Sequence, residues 1–174
     1  MGLAIYGYSK LARFEDGECT KEDVSCTEEE LEETEKYYPG RTAGLQAGLF
    51  TFDAKERVGI SYFAYTHWRE QLAIIAGYDK QHTATSNDPV EKRFIANSPH
   101  TCNAFMAKEG PFWELITFFD SCGVIGPVVC AKLSKDFEEH AGKLKDSTVF
   151  FRHTYTLIHK AVMLAADNGM LVFC

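Results

Sequence analysis

The stretch from Phe150 to Cys174 constrains the fold most tightly. Phe151, Tyr155, Ile158, Val162 and Ala165 recur at alternating steps of four and three, which draws one apolar stripe along a helix over 150–166. Asp167-Asn168-Gly169 ends that helix, with Gly169 expected as its left-handed cap. Met170-Leu-Val-Phe-Cys174 then reads as a strand. Near the other terminus, Leu3 to Tyr8 alternates enough to predict a first strand reaching toward Phe14. Strands at both ends with helices between them predict an α+β domain, a small mixed or antiparallel sheet packed by three to four helices.

A chain of 174 residues, 45% hydrophobic, suits one domain with a sizeable core. No run of 18 apolar residues predicts a membrane span. The N-terminus carries neither a basic region nor an apolar signal core, so the expected location is the cytoplasm. Met1-Gly2 suggests myristoylation, but Tyr6 stands where Ser or Thr is required. The six cysteines form no C-x-x-C pair, and they read as small buried residues in a reducing compartment.

Charge is unevenly placed. Residues 15–35 hold eleven acids against Lys21 alone, while the remainder has 14 acids and 17 bases. This is a mildly basic body with an acidic surface segment, and it has no basic stripe for bulk nucleic acid. Within the segment, Thr27 and Glu30 make a capping box that predicts a helix over 28–37. Tyr37-Tyr38-Pro39-Gly40 is a turn, and a strand is expected near Phe50-Thr51-Phe52. Arg57–Phe63 reads as another strand, followed by a helix over Trp68–Ala76 stopped at Gly77. Residues 78–100 read as loop, with short helical order around Val90–Ile95. Pro127 opens a helix to His140, with Val128, Ala131, Leu133 and Phe137 facing inward.

Two constellations could carry chemistry. In the block Ser61-Tyr62-Phe63-Ala64-Tyr65-Thr66-His67-Trp68-Arg69, the rings of Tyr62, Tyr65 and Trp68 can stack on a purine, and Arg69 can fork onto a phosphate. The alternative for the same residues is that Tyr62, Phe63 and Trp68 pack in the core and Arg69 is a surface cation. The second constellation is Asp120 to Pro127. Its two glycines are expected to turn the chain into the helix at Pro127, so that the amides of Gly123, Gly126 and Val128 meet an anion at the helix N-terminus. Asp120 would orient a ligand hydroxyl or bond the turn's own backbone. The histidines make no metal set, and Cys122 has no base beside it that the sequence can name. No Walker loop, G-x-S-x-G or H-E-x-x-H occurs.

Several of these segments resemble a family of small, functionally unassigned proteins of tailed bacteriophages and prophages. The likeness is carried by Met-Gly-Leu-x-Ile at the start and by Ser61-Tyr62-x-x-Tyr65-x-x-Trp68-Arg69. It continues through Pro111-Phe112-Trp113-Glu114-Leu115-Ile116, Asp120-x-x-Gly123-x-Ile125-Gly126-Pro127 and Lys132-Leu133-x-x-Asp136-Phe137. Ala4 stands where that family has Asp, and Phe119 where it has Ser. The resemblance implies a protein acting in the host cytoplasm. Small phage proteins without an enzyme motif often act on host defence, some by sequestering its nucleotide signals.

The leading expectation is therefore capture of a small anionic nucleotide, such as a cyclic nucleotide or an ADP-ribose derivative. Ser61, Tyr62, Tyr65, Trp68, Arg69, Asp120, Gly123, Gly126 and Val128 would line its site, with no cofactor and no metal. A second reading is an inhibitor that docks on a host defence protein through its acidic or aromatic surface. A third is a nucleotide hydrolase using Asp120 with a histidine, though binding is favoured over catalysis. A homo-oligomer with sites between subunits is an arrangement that ligand-capturing proteins often take.

Overall fold

The computed structural model describes residues 2–14, 23–78, 98–119 and 122–174. Asp120, most of the loop over 78–100 and the first part of the acidic segment lie outside them. The described chain is α+β. A four-stranded antiparallel sheet runs in the order β5-β1-β7-β6, from β1 (Gly2–Ser9), β5 (Ala54–Ser61), β6 (Gly123–Ile125) and β7 (Met170–Phe173). A second, three-stranded sheet, absent from the sequence-based expectation, joins β2 (Ala12–Arg13), β4 (Gly48–Thr51) and β3 (Val24–Cys26) in the order β2-β4-β3. The helices are α1 (Glu28–Tyr37), α2 (Tyr62–Ala76), α3 (Pro99–Ala107), α4 (Trp113–Ile116), α5 (Pro127–His140) and α6 (Val149–Ala166), with a 3-10 segment at Ala141–Asp146. None is long and apolar enough to cross a membrane, among the described residues.

The main core lies between the large sheet and the helices. Leu3, Ile5, Val58, Ile60, Ile125, Leu171 and Phe173 supply its sheet side. The α6 stripe of Phe151, Tyr155, Ile158, Val162 and Ala165 fills the other side, as the sequence predicts. The opposite face of the sheet buries Tyr8, Val124 and Met170 against Cys26 and Phe50 of the small sheet.

Two glycines allow α6 to lie this close. A Cβ at Gly7 would overlap the main chain of Ala161, and one at Gly169 would overlap the Tyr8 carbonyl. The left-handed position after α6 is taken by Asn168, φ 47°, rather than by the expected Gly169. Asn168 tolerates that conformation, while close packing selects glycine next to it.

Three further corrections concern where elements begin and which side they bury. The run Arg57–Phe63 is not all strand, because Ser61 caps α2 and Tyr62 and Phe63 are already helical. On α5, Val128 and Ala131 face solvent, and the buried positions are Val129, Cys130, Leu133, Asp136, Phe137 and His140. Among the cysteines, Cys26, Cys102 and Cys130 are buried, but Cys122 and Cys174 are exposed.

Replacing Gly7 by alanine should cost about 3 kcal/mol in chemical denaturation, because neither main chain can retreat. Alanine at Gly59, whose Cβ would meet only the Arg57 side chain at 3.8 Å, should change stability by under about 1 kcal/mol.

His159 of α6 stacks on Phe137 at 4.9 Å, and its Nε2 has no hydrogen bond among the described residues. Burial lowers its pKa from the ordinary 6.5, against an opposing pull from Glu138. The unfolded chain therefore takes up the proton first. This contribution to stability is present above the unfolded pKa and is lost as pH falls through the lower folded value. Thermal midpoints should drop between about pH 7 and pH 5, and His159→Gln should flatten that drop.

Candidate functional site

Ser61 ends β5 and caps α2, its hydroxyl accepting the Ala64 N–H at 3.2 Å. From that cap the apolar spacing changes from strand to helix, so Tyr65, Trp68, Arg69 and Leu72 turn inward and Tyr62 and Phe63 stay outside. Two of the three expected stacking rings, Tyr65 and Trp68, are therefore not available as a platform, while Tyr62 is exposed. Tyr65 packs on Trp68, ring centres 6.0 Å apart, and Trp68 on Phe151 at the same distance. Trp68 is fully buried. The core alternative for this block holds for Trp68 and extends to Tyr65, but Tyr62 and Phe63 are exposed and Arg69 is buried rather than a surface cation.

Arg69 is also buried, 3% exposed. Its Nη1 donates to the Ile116 carbonyl at 2.9 Å. The guanidinium lies 5.1 Å from the Tyr65 ring centre and 4.5 Å from that of Phe119. Its Nε has no hydrogen-bond partner among the described residues, and neither has the Tyr65 hydroxyl. No carboxylate of the described residues is in ion-pair contact with it. Burial lowers the Arg69 pKa, with the Tyr65 and Tyr38 hydroxyls pulling the other way. A guanidinium stays charged under such a shift, so the cost of burial persists.

The glycine-proline corner is built differently from the expectation. Gly123 opens a strand rather than a turn; a Cβ on it would meet the Phe118 ring at 2.8 Å, and its φ is 141°. The Gly126 N–H donates to the Arg41 carbonyl at 2.7 Å, and that of Val128 to Ala43 at 3.4 Å. A Cβ at Gly126 would overlap the carbonyl of Ala43. The 41–44 turn thus occupies the start of α5, and the amides meant for an anion are used inside the protein.

Arg41, which the sequence reading did not single out, anchors that turn. It is 3% exposed, stacks on Trp113 at 4.2 Å, and donates to the Glu114 carbonyl and the Thr117 hydroxyl. Lys132 is likewise engaged internally, with Glu114, Asp136 and the Gly110 carbonyl. Glu70 and Asp136 also hold main chain. Glu70 accepts the N–H groups of His100 and Thr101 at the start of α3, and Asp136 that of Phe112.

Arg69 meets the chain just before the glycine-proline corner, not the corner itself, among the described residues. Arg69 touches Ile116 and Phe119, the Phe119 N–H donates to the Tyr38 hydroxyl at 3.3 Å, and Tyr38 packs on Phe118 at 4.4 Å. Tyr38 also walls a surface hollow of about 290 Å³. Thr34 and Tyr37 of α1, Gly123, Phe173, Cys122 and Cys174 line it too, and Glu30 and Glu33 stand at its side. Of the expected site residues that are described, Gly123 alone lines this hollow. No group of three His, Cys, Asp or Glu side chains suited to a metal ion occurs among the described residues. No protein-family model matches the chain, and the searches of curated proteins and of solved structures return no match.

Proposed function

We propose that this chain binds a small ligand through an oxyanion, with Arg69 as the anchor. The observation that supports this is a guanidinium 3% exposed, its Nε unpartnered, with no carboxylate in contact among the described residues. A buried cation requires a counter-charge or hydrogen bonds, and a phosphate or carboxylate supplies both. The Tyr65 hydroxyl, also without a hydrogen-bond partner among the described residues, adds a donor. Phe119, 37% exposed, lies over the guanidinium, so in this reading a ligand reaches Arg69 by displacing that ring. Base stacking on Tyr65 or Trp68 has no part in this reading.

The resemblance to phage proteins supports a nucleotide as the ligand, in the class of cyclic nucleotides and ADP-ribose derivatives made as host defence signals. Phe119, where the family has Ser, covers Arg69. Ala4, where the family has Asp, hydrogen-bonds through its main chain to Cys174 beside the hollow. Of the two departures, Phe119 borders the proposed site, where an apolar ring stands in place of a hydroxyl.

Calorimetric titration with cyclic nucleotides, ADP-ribose and inorganic phosphate tests the reading. Arg69→Met should weaken binding about 10- to 100-fold, the value of one or two charged hydrogen bonds. Equal affinity in the variant removes Arg69 from the site. Ligand recovered intact after denaturation marks a binder, and recovered product marks a hydrolase.

A specific observation favours the inhibitor reading as the second. The α1 helix turns Glu28, Glu29, Glu32 and Glu33 to solvent, with Tyr37 57% exposed. A basic surface on a host protein would complement it. Reversing Glu29 and Glu33 to Lys should slow association with such a protein and make it less sensitive to salt. The same change should leave nucleotide titrations unaltered.

A further inference from the structure

In the β6–β7 pair, Gly123 stands opposite Phe173 and Val124 opposite Val172. One residue further out, the same register sets Cys122 opposite Cys174. Cys174 directs both main-chain groups to its other neighbour: its N–H donates to the Ala4 carbonyl at 3.0 Å, and its carbonyl accepts the Ala4 N–H at 2.7 Å. A residue hydrogen-bonded to one antiparallel neighbour occupies a non-hydrogen-bonded site toward the other, where Cα atoms stand about 4.5 Å apart and side chains come closest. That spacing falls within the roughly 4.4–6.8 Å that a disulfide spans.

Side-chain alternation puts both cysteines on the sheet face that carries Val124 and Val172. Consistent with this, both line the same hollow, and both are exposed. Cys26, Cys102 and Cys130 are buried. Burial pushes the Cys26 thiol up to about 11 and that of Cys130 higher still, which keeps those two protonated and unreactive.

We propose that Cys122 and Cys174 form a reversible cross-strand disulfide. The oxidant is a small-molecule disulfide such as oxidised glutathione. One cysteine thiolate attacks it, releasing a glutathione thiolate and leaving a mixed disulfide. The second cysteine thiolate attacks the protein-side sulfur of that bond and releases the other glutathione thiolate. The two protein sulfurs give up two protons and two electrons, and the electrons reduce one glutathione disulfide to two thiols. The new bond ties the end of β7 to the start of β6 across the hollow, beside the segment that carries Phe119. This proposal stands independently of the ligand reading.

The test equilibrates the purified chain with mixtures of oxidised and reduced glutathione, followed by intact mass and a non-reducing peptide map. The expected product has lost two hydrogens, links the Cys122 and Cys174 peptides within one chain, and reverts with dithiothreitol. Its thermal midpoint lies above that of the reduced chain. Cys122→Ser and Cys174→Ser should each abolish the link and retain a single glutathione adduct on the remaining thiol. Oxidation that stops at glutathione adducts in the unsubstituted chain overturns the proposal. So does a link between other cysteines, or one formed only between chains.

Discussion

The close approach of α6 to the central strand is the contact on which the rest of the molecule depends. Main chain meets main chain at Gly7 and Ala161, and again at Gly169 and Tyr8, so the helix lies directly on the sheet with no side chains as spacers. At that distance the stripe from Phe151 to Ala165 reaches the strand residues, and Phe151 reaches Trp68 of α2. The position of α2 follows from this contact. Trp68 is wedged between Phe151 and Tyr65, and Arg69, the next residue on the helix, is thereby directed toward Ile116 and Phe119. The buried charge is a consequence of how the helix is seated.

Elements with a local cause were legible in the sequence. The capping box at Thr27 and Glu30 set α1, Pro127 set the start of α5, and the stripe over 151–165 set α6, because each signal lies within a few residues of what it specifies. The failures share a different cause. Glycine was read as a turn former at Gly123 and Gly126, whereas the Phe118 ring packs against the first and the 42–43 main chain, distant in sequence, against the second. Of the small sheet only β4 was expected, near Phe50, because the other two strands are two and three residues long, too short for alternation to register.

The same distinction governs the site. That Ser61, Tyr65, Trp68 and Arg69 belong together was read from residue type within one block, with the helix expected only from Trp68. That three of them point inward could not be read, because residue types alone do not say which face of a helix is covered. Arg41 gave no signal at all. An isolated arginine after a Pro-Gly turn has nothing in its neighbourhood to mark it, and its partners Glu114 and Thr117 lie more than seventy residues away. Ionisable groups in this protein serve repeatedly as clamps on main chain. Glu70 holds the start of α3, Asp136 the Phe112 amide, and Glu35 the amides of Gly40 and Thr42. Arg69 likewise holds the Ile116 carbonyl, but its Nε is left without a hydrogen-bond partner among the described residues.

The edge of the large sheet at β6 is sealed by an unusual guard. The Thr34 hydroxyl accepts the Val124 N–H at 3.3 Å, and the Arg41 carbonyl takes that of Gly126, so α1 and its following turn occupy the place of a fifth strand. Open strand borders invite neighbouring molecules to add on, the first step toward fibrous assembly. Here the blocking element is itself a strongly acidic helix. Two chains approaching along this border meet steric obstruction and mutual repulsion together, which gives a protein rich in apolar surface a means of staying dispersed when crowded.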